Sequence, residues 1–292
     1  MPPRLEAASY EKLVDLALVE DLGRATIDSS ADLSSAWVVP AGTTADAEIV
    51  AREAGVLAGL DVARHVFARL DQTIHFTAHL ADGEAFAAGQ SLIQLAGPAQ
   101  SLLAGERTAL NFLQRLCGVA SLTRSYVMAV AGTQARITDT RKTTPGFRQL
   151  EKHAVLLGGA TNHRMGLYDA VLIKENHAAA AGGLGAALER AHRHNTNGVP
   201  VLVETRSLAE VEEALGGAPN RIMLDNMSLA EMERATQMVR AADPQIEIEA
   251  TGGITLDNAA QVGATGVDLI SIGALTHSAP ALDLSMLFST AL

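Results

Sequence analysis

The chain has 292 residues, 48% hydrophobic and 19% charged, enough to bury one large core or two ordinary ones. A formal net charge of −11 and a pI near 5.2 argue against nucleic acid or anionic membrane as a main partner, because both require a broad basic face. The single cysteine, Cys117, forms no internal disulfide, no apolar run reaches the roughly 20 residues of a membrane helix, and MPPRLEAASYEKLVDLALVED lacks an apolar signal core, so a cytoplasmic protein is expected.

Taken in chain order, the pattern predicts a helix from about Tyr10 to Asp21, a strand in ADAEIVARE (Ala45 to Glu53), and a helix near Leu60 to Leu70. IHFTAHL and SLIQLAG flank the turn signal Asp82-Gly83, as two paired strands would. This reads as a small α+β domain. From Leu103 to Val130 the pattern is helical, with Leu110, Leu113 and Cys117 on one face, and leads into a second domain.

After Ala135 the texture changes to short apolar runs, each followed by a helical stretch. The runs are ARITDT, DAVLIK, VLVE, RIMLD, IEIEA and LISIG, ending near Thr140, Lys174, Glu204, Asp225, Thr251 and Gly273. Repeated strand–helix units imply parallel strands joined by right-handed crossovers. Ser207-x-x-Glu210 and Ser228-x-x-Glu231 read as capping boxes, which start helices three residues after Glu204 and Asp225. An α/β barrel is favoured, with a doubly wound sheet as the rival; both gather the strand ends at one site.

The cations are concentrated in one place. Three of the four lysines, Lys142, Lys152 and Lys174, fall between Asp139 and His177, with Arg141, Arg148, Arg164, His153, His163 and His177. That stretch has six Lys/Arg against four Asp/Glu, a local +2 in an acidic chain, and suits a small, multiply anionic ligand. Arg148 and Lys152 read as solvated helix-surface charges, whereas Arg141, Lys142 and Lys174 sit at strand ends and read as functional. Glu204 and Asp225 offer oxygen ligands suited to Mg²⁺ shared with substrate phosphates, or else complement the following helices. Thr251-Gly252-Gly253 and Gly273 could let backbone N–H groups approach a phosphate, with His277 beside them. His163-Arg164, after Gly158-Gly159, is a further ligand contact.

The segments ERTALNFLQRLCGVASLTR, DTRKTTPG, NHRMGLYDAVLIKENH, IMLDNMS, EATGGITLDN and GVDLISIGALTHSAPALDLS resemble the quinolinate phosphoribosyltransferases, from about Glu20 to Ser285. The resemblance implies the type II phosphoribosyltransferase architecture: an N-terminal α/β sandwich domain (1–112) and an incomplete, seven-stranded α/β barrel (113–292) whose C-terminal segment packs back on the first domain. It implies transfer of phosphoribose from phosphoribosyl pyrophosphate to quinolinate with Mg²⁺, giving nicotinate mononucleotide, pyrophosphate and CO₂ for NAD biosynthesis. It also implies a homodimer or larger assembly in which Arg107 reaches into the neighbouring site.

By that resemblance, Arg141, His163, Arg164 and Lys174 surround the quinolinate carboxylates, and Lys142 lies near the phosphates. Glu204 and Asp225 attend ribose and Mg²⁺, and Thr251, Gly252, Gly253, Gly273 and His277 form the phosphate region. The chain departs from the family pattern in the block from Glu20 to Pro40, and at Leu156, Ala160, Leu202 and Thr251. Two alternatives remain at this level: a same-fold paralogue using another aromatic acid, and a barrel aldolase forming a Schiff base on Lys174.

Overall fold

The computed structural model describes residues 5–23 and 26–289. Arg24 and Ala25, in the N-terminal block that departs from the family pattern, lie outside the described residues. The chain forms two compact units: residues 1–124, 144–159 and 278–292 in the first, and 125–143 and 160–277 in the second. The division at 124/125 falls inside a continuous helix, Ala99–Ala129.

The first unit holds α1 (Glu11–Leu22), α2 (Leu33–Val38), β1 (Thr44–Ala51), β2 (Gly55–Val56), α3 (Leu60–Leu70), β3 (His75–Ala78), β4 (Ala85–Phe86), β5 (Ser91–Pro98) and most of α4 (Ala99–Ala129). In β1 alternate residues are buried, as the sequence pattern requires of a strand with one face on a core. IHFTAHL and SLIQLAG do pair, as β3 and β5. They are not joined by a direct hairpin, because β4 intervenes and pairs with β2.

The second unit begins with β6 (Arg136–Thr138). The chain then returns to the first unit for α5 (Arg148–Gly158) before β7 (Val171–Ile173), α6 (Glu175–Ala181) and α7 (Leu184–His194). β8 (Val201–Thr205), α8 (Leu208–Leu215), β9 (Arg221–Asp225), α9 (Leu229–Ala242), β10 (Glu247–Thr251), α10 (Leu256–Ala264), β11 (Leu269–Ser271) and α11 (Ala274–His277) follow. β12 (Leu284–Ser289) belongs to the first unit and pairs antiparallel with β1, completing a sheet of order β12-β1-β5-β3. Gly118 of α4 permits close approach there: a Cβ would lie 1.9 Å from the Pro280 carbonyl oxygen.

Strand order separates the barrel from its rival. The parallel sheet runs β6-β11-β10-β9-β8-β7, so successive strands are neighbours and the last, β11, pairs with the first, β6. A doubly wound sheet reverses direction part-way; a sheet whose last strand returns to its first is a barrel. The barrel is incomplete. The six runs seen in the sequence are its six strands, and the seventh implied by the resemblance is reduced to one parallel bridge, Thr138 with Thr161. No pairing joins that bridge to β7.

Side-chain alternation with the strand register stacks the inward residues in layers. Leu172, Leu202, Arg221 and Glu247 lie deepest; Glu204, Met223 and Glu249 come next; Asp225, Thr251 and Ser271 stand at the carboxyl ends.

One charge lies where the sequence reading did not put it. Lys152 of α5 is fully buried, as is its neighbour Glu151, which accepts from Arg115 (Nη2–Oε1 2.7 Å) and from the Thr144 amide (3.0 Å). The helix turns this pair inward, onto the first unit's core, instead of to solvent.

Candidate active site

A cavity of about 520 Å³ opens at the carboxyl ends of the barrel strands. Each lining group is delivered by a strand end or the loop after it. Arg141 and Lys142 follow β6, His163 and Arg164 follow the Thr161 bridge, and Lys174 follows β7. Glu204 lies in β8, Asp225 ends β9, and Thr251, Gly252 and Gly253 end β10. Ten of the expected residues therefore meet in one cavity.

Gly273 and His277 do not line it but adjoin Lys142: a Cβ at Gly273 would lie 3.0 Å from Lys142 Cδ and 3.1 Å from His277 Nε2. Arg107 lies on α4 in the first unit, exposed, with Glu106 4.0 Å away, and does not line this cavity. Thr140, Leu172, Met223, Asn226 and Ser271 line it without having been singled out from sequence.

The electrostatics are divided. Arg141, Lys142, Arg164 and Lys174 are cationic, while Glu204 and Asp225 stand on adjacent strands. Lys174 Nζ meets Glu204 Oε2 at 2.5 Å. Burial lowers the Arg164 pKa, and the nearby Arg141 charge lowers it further. Two guanidiniums held close together in this way favour an anion between them. Arg164 Nη1 donates to the Ala170 carbonyl at 2.9 Å, which aims the side chain, and the Arg164 amide donates to His163 Nδ1 at 2.8 Å.

Asp169 closes the loop after Arg164 by accepting from the amides of Met165 (2.6 Å) and Gly166 (2.9 Å). Burial works to raise the Asp169 pKa, but these bonds and Arg164 outweigh it and lower the pKa.

Asp225 Oδ2 lies 3.6 Å from Arg206 Nε, and its Oδ1 accepts from Asn226 Nδ2 at 2.9 Å. Arg206 also pairs with Glu175. Sequence reasoning passed over Arg206 because it precedes a capping serine and looks like a solvated helix-start residue.

Gly252 and Gly253 both have positive φ, +85° and +64°, a region that disfavours other side chains. At Gly252 the space is filled as well, since a Cβ would meet the Asn226 side chain at 2.4 to 2.6 Å. Of the two expected capping boxes, only that of Ser228 and Glu231 is complete. At α8, Ser207 accepts from the Glu210 amide, but the Glu210 carboxylate takes the Arg206 amide instead.

Leu202, where the family pattern carries an acid, is buried with Ala170, Leu172 and Met223 in an apolar cluster on the cavity floor. The substitution removes a charge that would need a partner there.

Two family models match almost end to end: the quinolinate phosphoribosyl transferase N-terminal domain over residues 32–117 and the C-terminal domain over residues 119–287. The chain belongs to the quinolinate phosphoribosyltransferase family. A probable nicotinate-nucleotide pyrophosphorylase (carboxylating) of Synechocystis sp. is 46% identical over 81% of this chain and 80% of its own. The nicotinate-nucleotide pyrophosphorylase (carboxylating) of Mycobacterium leprae is 42% identical over 87% of this chain and 90% of its own. Among solved structures, the nicotinate-nucleotide pyrophosphorylase of Francisella tularensis superposes with a TM-score of 0.91 at 34% identity, covering 98% of both chains. The architecture of this family is thus that of the chain, an α/β barrel unit accompanied by a separate antiparallel sheet.

Proposed function

We propose that the chain is a carboxylating nicotinate-nucleotide diphosphorylase: it transfers phosphoribose from phosphoribosyl pyrophosphate to quinolinate, releasing pyrophosphate and CO₂. The observation that carries this reading is the gathering of four cations and two carboxylates in one strand-end cavity. Quinolinate is a dianion, and Arg141, Arg164 and Lys174 offer the planar forks and point charge that hold two carboxylates. Family membership supports the same reaction.

The ring nitrogen of quinolinate attacks ribose C1 as the C1–O bond to pyrophosphate breaks, and positive charge develops on the sugar. Glu204 and Asp225 stabilise that charge, and Lys142 with the Gly252-Gly253 backbone receives phosphate. When the adjacent carboxylate then departs as CO₂, the electron pair of the broken bond stays on the ring carbon, where the neighbouring pyridinium charge stabilises it until a proton adds there. The protein's contribution is mainly positioning.

Glu204 and Asp225 would hold Mg²⁺. Among the described residues no three acid, histidine or cysteine side chains are placed to hold a metal ion by themselves, and Glu204 already pairs with Lys174. The donor set fits an ion that takes its remaining ligands from the diphosphate and water. Bound there, Mg²⁺ would neutralise charge on the leaving group.

Arg107, exposed on α4, suits the trans role that the resemblance assigns it in a homodimer. We read the protein as cytoplasmic. Among the described residues no helix is long and apolar enough to cross a membrane, and burial pushes the Cys117 thiol up to about 12, far from reactive.

The test follows nicotinate mononucleotide and CO₂ together from quinolinate, phosphoribosyl pyrophosphate and Mg²⁺, with nicotinate as control acid. Both products from quinolinate alone are expected. Turnover of another aromatic acid in its place would move the assignment to a paralogue. The aldolase alternative meets a geometric objection, because Lys174 is ion-paired to Glu204 and an ammonium so held is a poor nucleophile.

A further inference from the structure

Beneath the cavity the barrel carries an ionic network that the chemistry above leaves unused. Arg221 of β9 donates to Glu247 (Nη2–Oε2 2.7 Å) and to Glu249 (Nη1–Oε2 2.8 Å), both on β10, and Arg136 of β6 reaches Glu247 at 3.0 Å. Glu249 is fully buried. Burial pushes its carboxyl pKa up, against the opposing pull of Arg221 and the Ser271 hydroxyl. A charge in such a place is costly, and its retention calls for an account.

The same Glu249 Oε2 faces His163 Nε2 at 3.7 Å. His163 is itself buried, its amide donates to Asp139 Oδ1 at 2.8 Å, and its Nδ1 accepts from the Arg164 amide at 2.8 Å. A ring nitrogen that accepts carries no proton, so the proton of the neutral ring sits on Nε2, 3.7 Å from Glu249 Oε2, an electrostatic contact longer than a hydrogen bond. Of the charged groups here, Glu249 faces the ring, Arg221 holds Glu249, Asp139 takes the His163 amide, and Arg141 lies near Arg164.

We propose that Glu249 is a positioning residue for the substrate-facing pair His163 and Arg164. Its carboxylate, held by Arg221, selects the Nε2–H tautomer of His163; that tautomer presents Nδ1 as the acceptor that fixes the Arg164 backbone, and so sets where the guanidinium enters the cavity. Glu249 touches no substrate. It acts through the ring, much as outer partners orient metal-bound histidines.

The inference rests on quinolinate being the substrate, which wild-type turnover tests by itself; the tautomer needs no substrate. In the intact protein at pH 7.5, ¹⁵N spectra of the imidazoles, with His163 identified by the signals lost in His163→Gln, are expected to show protonated Nε2 and unprotonated Nδ1. Glu249→Gln keeps the shape but can either accept from or donate to the ring, so the single tautomer should give way to a mixture. In that variant KM for quinolinate should rise about tenfold, with kcat within about twofold and KM for phosphoribosyl pyrophosphate unmoved.

A merely structural Glu249 would lower Tm and leave the tautomer and the quinolinate KM alone. That result overturns the proposal. A wild-type His163 protonated at Nδ1 overturns it equally, and this measurement stands even if Glu249→Gln does not fold.

Discussion

Replacing Glu204 by glutamine separates its structural role, holding Lys174, from its roles in the reaction, stabilising the sugar cation and holding Mg²⁺. Lys174 is 48% exposed and Glu204 10%, so the 2.5 Å pair is half in water, and losing it costs under about 1 kcal/mol of stability. For a chain of this size the expected fall in Tm is under about 4 °C. Loss of a carboxylate aimed at developing charge is far more costly, about 3–4 kcal/mol, which is a fall in kcat of about 10²–10³-fold. KM for quinolinate should hold steady or drop, because Lys174 no longer divides itself between Glu204 and the substrate. The assay is initial-rate nicotinate mononucleotide formation with each substrate varied against saturating partner, alongside a thermal melt. Unchanged kcat would refute the transition-state role. A collapse of Tm that accounts for the lost activity would refute it as well, by making Glu204 a structural residue.

Arg141→Ala should raise the Kd of quinolinate by the roughly 2–5 kcal/mol that truncating one partner of a buried charge contact costs; titration calorimetry showing unchanged binding would remove Arg141 from the site. The Arg107→Ala protein, inactive alone, should gain activity on mixing with the Arg141→Ala protein if Arg107 serves a neighbouring subunit, and verified subunit exchange without recovery would count against sharing. Asp82, which accepts from the Leu60 amide at 3.2 Å, has its pKa pushed up to about 6, first by burial. A carboxyl raised in the folded state stabilises fully below its unfolded pKa and loses that contribution as pH rises through about 6. Asp82→Asn keeps the accepting oxygen and should therefore be more stable than wild type at pH 8, by up to about 3 kcal/mol, with no gain at pH 4. Denaturant melts showing an equal effect at both values would mean that Asp82 does not titrate in this range.

What was legible in the sequence is what depends on local pattern. The six barrel strands are short apolar runs because parallel strands are covered on both faces, and each run ends where its chemistry begins, at Lys174, Glu204, Asp225 and Thr251. The seventh strand was not legible because it is one bridging residue, Thr161, with no run around it. Asp82-Gly83 is a sound turn signal and β3 does pair with β5, but turn chemistry says nothing about the intervening β4 pairing elsewhere. Lys152 escaped because a lysine on a helix is usually solvated, and only the tertiary contacts of α5 turn this one inward.

The residues missed at the site share a cause. Arg206, Asn226 and Glu249 each act on something brought close by the fold: Arg206 on Asp225 and Glu175, Asn226 on the space beside Gly252, Glu249 on His163. Period-two alternation fixes which residues of a strand face inward, but not which of them reach the cavity. Glu249 and Thr251 both point inward from β10, yet Thr251 lines the cavity while Glu249 lies one layer below, buried against Arg221. Glu204 and Leu202 stand in the same relation on β8, the acid at the cavity and the leucine in its apolar floor. The loss of an acid at 202 is therefore tolerable for a physical reason. That position belongs to the floor, packed with Ala170, Leu172 and Met223 beside an Arg221 whose charge is already met by Glu247 and Glu249, while the acid placed at ribose remains two residues on.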